Sequence, residues 1–268
     1  MTTKQSPPIT KIAVDGIRIA QAIAGDENAP PILMLHGWGA NIGLLWPLAE
    51  RLVNMGYRVY VPDMPGFGES DHPPVAWTVH DYVRFVLAYA DYHHIEQFHL
   101  FGHSFGGRLG LILGAEHHNR IIKMVLADSA GIRSKLPLMT QIRLTLYKTI
   151  RTGLNSIGLN KLSEKLRTWY NGRYGSQDFK DVSGVMRETF VKVVNEDLRE
   201  YAVRVGVSTL LIWGSNDEDT PLWQGKSLEK LIPDAGLVVF SGAGHYSYLE
   251  NQIQTAQAID ALFKGASH

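Results

Sequence analysis

The chain has 268 residues, with 26 Lys and Arg against 26 Asp and Glu, so its formal net charge is zero. No basic excess marks it for nucleic acid, and with no cysteine it has neither disulfides nor thiolate metal sites. Hydrophobic residues make up 45% of the sequence, enough for one large α/β domain or a core domain with an insertion. The opening run Met1 to Pro8 leads into no apolar segment of the secretory kind, and no apolar run approaches the length of a membrane span. The expectation is a cytoplasmic protein without a membrane span.

Lys11 to Val14 and Ile17 to Ala24 flank Asp15-Gly16, the signature of a tight β-hairpin. Short apolar runs follow at Ile32 to Leu35, Arg58 to Pro62, Phe98 to Gly102, Lys123 to Ala127, Thr209 to Trp213 and Leu237 to Phe240. Such runs suit strands buried on both faces of a parallel sheet. Helical stretches separate them: Trp46 to Asn54, Thr78 to Tyr92, Phe105 to Ala115, Leu222 to Leu231 and Tyr248 to Phe263. Thr78 with Asp81 forms a helix-start box, and Thr220-Pro221 reads as a cap followed by proline in the first turn. The alternation predicts a doubly wound, mostly parallel sheet, with ligand sites beyond the carboxyl ends of its strands.

The alternation breaks once. Residues 132–205 show no clear strand, and Leu136, Met139, Ile142, Leu146, Ile150, Leu154 and Ile157 recur at helical spacing. We read a helical lid inserted between core segments 1–131 and 206–268. The insertion is richer in Lys and Arg than in acids. That excess suits a solvated lid surface, the alternative being a patch for anionic substrate or lipid headgroups.

The run Gly102-His103-Ser104-Phe105-Gly106 lies where a strand gives way to a small-residue helix. Glycines on both sides let the chain pass through a strained turn that lifts a serine hydroxyl out of the sheet. Serine needs a base, and His245 sits in a Gly-Ala-Gly-His loop after the last strand. The base needs a carboxylate: Asp217 ranks first, Asp128 second as a possible alternative acid, and Asp219 third. Two backbone N–H groups, of Phe105 and Trp38, are expected to form an oxyanion hole. His36 is expected to order its loop. The pairs His93-His94 and His117-His118 read as exposed helix ends, so no metal or cofactor is expected. Trp38, Trp46, Phe105 and Tyr246 are candidates for an apolar pocket, with Tyr147, Trp169 and Tyr170 joining from the lid.

Taken together, these motifs resemble those of the α/β-hydrolase superfamily over almost the whole chain. His36-Gly37-Trp38-Gly39 resembles its oxyanion loop, Asp63 to Ser70 its D-x-x-G-x-G-x-S loop, and Gly102 to Gly107 its nucleophile elbow. Gly214 to Asp217 with Pro221 resembles its acid turn, and Gly242 to His245 its histidine loop. The resemblance implies an eight-stranded, mostly parallel sheet with a helical cap after the sixth strand, and a loop-ordering role for Asp63. It also implies hydrolysis of a small-molecule carboxylic ester with a small or medium apolar acyl group, through Ser104, His245 and Asp217. The same triad serves C–C bond hydrolases, perhydrolases, thioesterases, peptidases and hydroxynitrile lyases, and a slow-turnover small-molecule receptor is the rival from another class. Oligomeric state is not legible in the sequence.

Overall fold

Apolar strands and Gly-punctuated turns assemble as expected in the computed structural model, which describes residues 6–133, 138–174 and 182–265. Strands β1 (Ile9–Val14) and β2 (Ile17–Ala24) pair antiparallel about Asp15 and Gly16, both at positive φ. Strands β3 (Pro31–Leu35), β4 (Arg58–Pro62), β5 (Phe98–His103), β6 (Ile121–Ala127), β7 (Thr209–Gly214) and β8 (Ala235–Phe240) follow. They form one eight-stranded sheet in the order β1-β2-β4-β3-β5-β6-β7-β8. The β1–β2 and β2–β4 pairings are antiparallel and all others parallel.

Strand pleating sends alternate side chains into two cores. Leu33, Leu35, Leu100, Leu126 and Leu211 face one side, where α2 (Val79–Tyr92) and α3 (Phe105–Glu116) pack. Ile32, Met34, Phe101, Val125 and Ile212 face the other, against α1 (Ile42–Asn54). Helix α1 starts four residues before the expected Trp46, because Asn41 caps it by accepting from the Gly43 N–H. Thr78 and Asp81 form the expected capping box.

Between β6 and β7 the described residues are helical: α4 (Leu138–Ser156), α5 (Asn160–Tyr174), α6 (Gly184–Asn195) and α7 (Arg199–Ala202). Leu136, the first member of the expected apolar stripe, lies outside the described residues. The rest of the stripe is split. Leu154 is half-buried, whereas Met139, Ile142, Leu146, Ile150 and Ile157 are exposed. Helix α8 (Trp223–Leu231) begins without a side-chain cap, so Thr220 does not cap it. The last expected helix is two: α9 (Ser247–Glu250) and α10 (Gln252–Lys264), divided at Asn251. Among the described residues no helix is long and apolar enough to cross a membrane.

One packing constraint positions the site. Helix α3 sits so close to the sheet that a Cβ on Gly106 would lie 2.2 Å from the Leu35 carbonyl oxygen. A Cβ on Gly102 would lie 2.6 Å from the Gly106 carbonyl. The glycines therefore serve close approach, and the strain itself falls on Ser104, at φ +49° and ψ −104°. Gly106→Ala is expected to cost about 1–3 kcal/mol through overpacking. The measurement is urea unfolding: a lower midpoint at unchanged slope is expected, and an unmoved midpoint would mean that α3 slides off the strand freely.

Candidate active site

The ends of three strands in one half of the sheet, β5, β7 and β8 with β6 between the first two, and the loops after them supply the candidate reactive groups. Strand β5 ends at His103 and delivers Ser104 onto the first turn of α3. Strand β7 ends at Gly214, three residues before Asp217. Strand β8 ends at Phe240, and the loop Ser241 to Gly244 carries the chain back to His245.

His245 joins the other two. Its Nδ1–H donates to Asp217 Oδ2 at 2.9 Å, and its Nε2 lies 3.0 Å from Ser104 Oγ, positioned to accept that hydroxyl proton. Asp217 is buried and fully engaged. Its Oδ1 accepts from the N–H groups of Asp219 and Thr220, each at 2.9 Å, and Thr220 Oγ lies 2.7 Å from Oδ2. Burial alone would raise the Asp217 pKa, but the hydrogen bond and charge of His245 and the Thr220 donors hold it below the ordinary value. Burial would likewise lower the His245 pKa, but the Asp217 hydrogen bond and charge raise it. Each partner thus stabilises the charged form of the other.

Asp128 sits nearby and does something else. It takes φ +45°, is fully buried, and accepts from the Gly214 N–H at 2.9 Å and from Ser247 N–H and Oγ–H at 3.0 and 2.6 Å. Burial pushes its pKa up to about 7 against the pull of those donors. It ties the end of β6 to β7 and to the start of α9, and makes no hydrogen bond to His245. Of the three acids, Asp217 lies on the imidazole, and Asp219 contributes its backbone N–H to Asp217.

On the other side of Ser104, the Gly106 N–H bonds to the His36 carbonyl, docking the early loop against the elbow. His36 uses both ring nitrogens there. Nδ1–H donates to the Gly37 carbonyl at 2.7 Å, and Nε2 accepts the Met64 N–H at 2.9 Å. Burial lowers its pKa. Asp63 accepts the N–H groups of Ile42 and Glu69, so both expected loop-ordering residues do order this loop. Among the described residues the N–H groups of Trp38 and Phe105 take no part in the turn and loop hydrogen bonds.

A cavity of about 730 Å³ opens over Ser104 and His245. Trp38, Phe105 and Tyr246 line it, as expected, together with Phe190 and Val193 of α6. Trp46 does not: it packs in the opposite core with α1. Tyr147 and Tyr170 stack on each other at 4.0 Å, and Trp169 is exposed, so none of the three reaches the cavity wall. His93 is half-buried against Gln21 rather than exposed. Asp217, Asp219 and His245 bring candidate metal-ligand atoms within 4.8 Å of one another, but Asp217 already holds four donor contacts.

Three participants escaped the sequence reading. His103 Nε2–H donates to the His245 carbonyl at 2.9 Å, and burial drives its pKa down to about 3, so it braces the histidine loop as a neutral ring. Thr220 supports the acid. Arg108, on the first turn of α3, is buried at the cavity wall and donates to the Glu196 carbonyl at 2.9 Å. Burial lowers its pKa to about 10. A lone charged residue in the apolar run after Ser104 was the available signal for Arg108.

Residues 30–252 match the family described as alpha/beta hydrolase fold. The chain is 30% identical over 247 residues to 2-hydroxymuconate semialdehyde hydrolase of Pseudomonas sp. (strain CF600), covering 85% of each chain. It is 25% identical to Lipase 1 of Psychrobacter immobilis over 92% of this chain and 81% of the lipase. Among solved structures, the esterase EaEST of Exiguobacterium antarcticum superposes with a TM-score of 0.73 at 24% identity, covering 96% of this chain and 99% of the esterase. With its sheet order, its strand-end site and this family match, the chain belongs to the α/β-hydrolase family.

Proposed function

We propose that this hydrolase cleaves carboxylic esters of small or medium apolar acyl groups through an acyl-enzyme. The observation that carries the reading is the unbroken path Ser104 Oγ, His245, Asp217, with steps of 3.0 and 2.9 Å, opening on an aromatic cavity. Ser104 Oγ attacks the ester carbonyl carbon while its proton passes to His245 Nε2. Asp217 holds the ring tautomer and stabilises the imidazolium. The N–H groups of Phe105 and Trp38 meet the developing oxyanion. His245 then protonates the departing alkoxide as the ester C–O bond breaks. Water enters through the same base, and the acid leaves. The insertion 132–205 acts as a lid, giving Phe190 and Val193 to the acyl side of the cleft.

A second reading is C–C bond hydrolysis of a carbonyl compound carrying a carboxylate, and Arg108 favours it. A buried guanidinium at the cavity wall suits an anionic substrate end, and muconate, in the name of the 30% identical relative, is a carboxylate. Initial rates on p-nitrophenyl acetate and butyrate, beside a 2-hydroxymuconate semialdehyde, separate the two readings. The ester reading requires the esters to have the higher kcat/KM.

Ser104→Ala is expected to cut kcat for ester hydrolysis on the order of 10⁶-fold, leaving only the residual catalysis of the oxyanion hole and binding, and turnover at the wild-type rate would reject the nucleophile. Asp217→Asn is expected to cut kcat on the order of 10⁴-fold. Asp128→Asn is expected to lose about 1–3 kcal/mol of folding stability, because a buried amide N–H would face donors, with a smaller loss of kcat. The reverse order of kcat losses would exchange the two acids' roles.

The base must be neutral to act, so kcat/KM should fall as pH drops through the His245 pKa. That inflection is expected above the ordinary histidine value of about 6.5, because Asp217 stabilises the imidazolium. In Asp217→Asn it should move down. A wild-type inflection below the ordinary value would contradict the pairing.

A further inference from the structure

We propose that the α4–α5 hairpin is a docking surface for anionic phospholipid bilayers. This inference stands apart from the serine chemistry. The two helices fold back on each other around Gly158, at φ +79°, with Tyr147 stacked on Tyr170 between them. Helix α4 has two apolar faces. One, with Leu144, Tyr147 and Leu154, is half-buried at helical spacing. The other, with Met139, Ile142, Leu146 and Ile150, is 74, 52, 59 and 45% exposed. Ile157 and Leu159 extend it into the turn, both exposed. On α5, Leu162 and Trp169 stand seven residues apart on one face and are also exposed, with Lys165 and Arg173 beside them at helical spacing. Single exposed apolar residues need no explanation, but rows of them at helical spacing on two helices packed together do.

Charge selects the occupant. Residues 138–174 hold seven of the chain's 26 Lys and Arg but only one, Glu164, of its 26 Asp and Glu. Glu164 is paired with Arg167. The remainder of this formally neutral chain is therefore net acidic. A molecule polarised in this way turns its hairpin toward an anionic plane and its body away. An apolar stripe bordered by Lys and Arg, with a tryptophan at its edge, is the pattern of a helix lying in a bilayer interface. A second copy of the chain would have to bring the same positive charge against it, which argues against self-association there.

The test uses the full-length protein and sedimentation with large vesicles, one set of phosphatidylcholine and one of phosphatidylcholine mixed with phosphatidylglycerol. Binding is expected only to the anionic set, and is expected to weaken as salt rises. Lys161→Gln with Lys165→Gln should lower the partition coefficient about thirtyfold. Ile142→Glu with Leu146→Glu should abolish binding. Both pairs lie on the exposed surface, so their melting temperatures and their rates on soluble p-nitrophenyl butyrate should match the wild type, which separates lost docking from lost folding. Equal binding to both vesicle sets, no binding to either, or concentration-dependent dimerisation that the Ile142/Leu146 pair removes would each overturn the proposal.

Discussion

The seating of α3 against the sheet is the constraint from which the site follows. The helix approaches β3 and β5 closely enough that only glycine fits at 102 and 106. A helix starting that near a strand end leaves no room for a relaxed turn, so Ser104 is held at positive φ. The strain, of order 1–3 kcal/mol for a non-glycine residue, is offset by the apolar contacts of Leu109, Ile112 and Leu113 in the core. Two consequences come with it. The serine hydroxyl stands above the sheet edge, and the Phe105 N–H opens the helix with its positive dipole end toward the same space.

Environment then differentiates residues of one type. Three histidines lie in this small volume, and burial disfavours the charged form of each. His36 spends both nitrogens on the loop, and His103 is held neutral and braces the chain before Tyr246. Only His245 has a carboxylate on one nitrogen and a serine hydroxyl on the other. The carboxylates divide similarly. Asp217 faces an imidazole N–H, so its charge is matched. Asp128 faces backbone and hydroxyl donors alone, and desolvation dominates. One strand-end layer therefore presents a charged acid and a structural acid a few residues apart in space.

Much of this was legible in the sequence because the signals are local. Apolar runs bounded by Gly and Pro marked the strands, and small residues around Ser104 marked the elbow. What escaped depends on contacts made across the fold. Thr220 reads as a helix cap until the β7 turn brings Asp217 onto its hydroxyl and N–H. His103 is one residue from the serine, yet its role exists only once the His245 loop lies over β5. Trp46 was assigned to the pocket by its distance along the chain, whereas the amphipathic phase of α1 sends it into the opposite core. Periodicity marked α4 as a helix correctly but could not say which of its apolar faces meets protein.

That last ambiguity has a physical resolution in how the insertion is tied down. Near the core, polar bonds and burial act together. Leu198 N–H bonds to the Gly131 carbonyl, Trp77 N–H to Thr189 Oγ, and Arg108 to the Glu196 carbonyl, around buried Phe190 and Val193. These contacts fix α6 at the cavity wall and α7 against α3. The hairpin of α4 and α5 packs chiefly on itself through its half-buried faces, with the second apolar face of α4 turned outward. Local stability follows burial and bonded contacts. The segment between β6 and β7 thus combines a part bonded to the core beside the cleft with a part whose second apolar face is exposed.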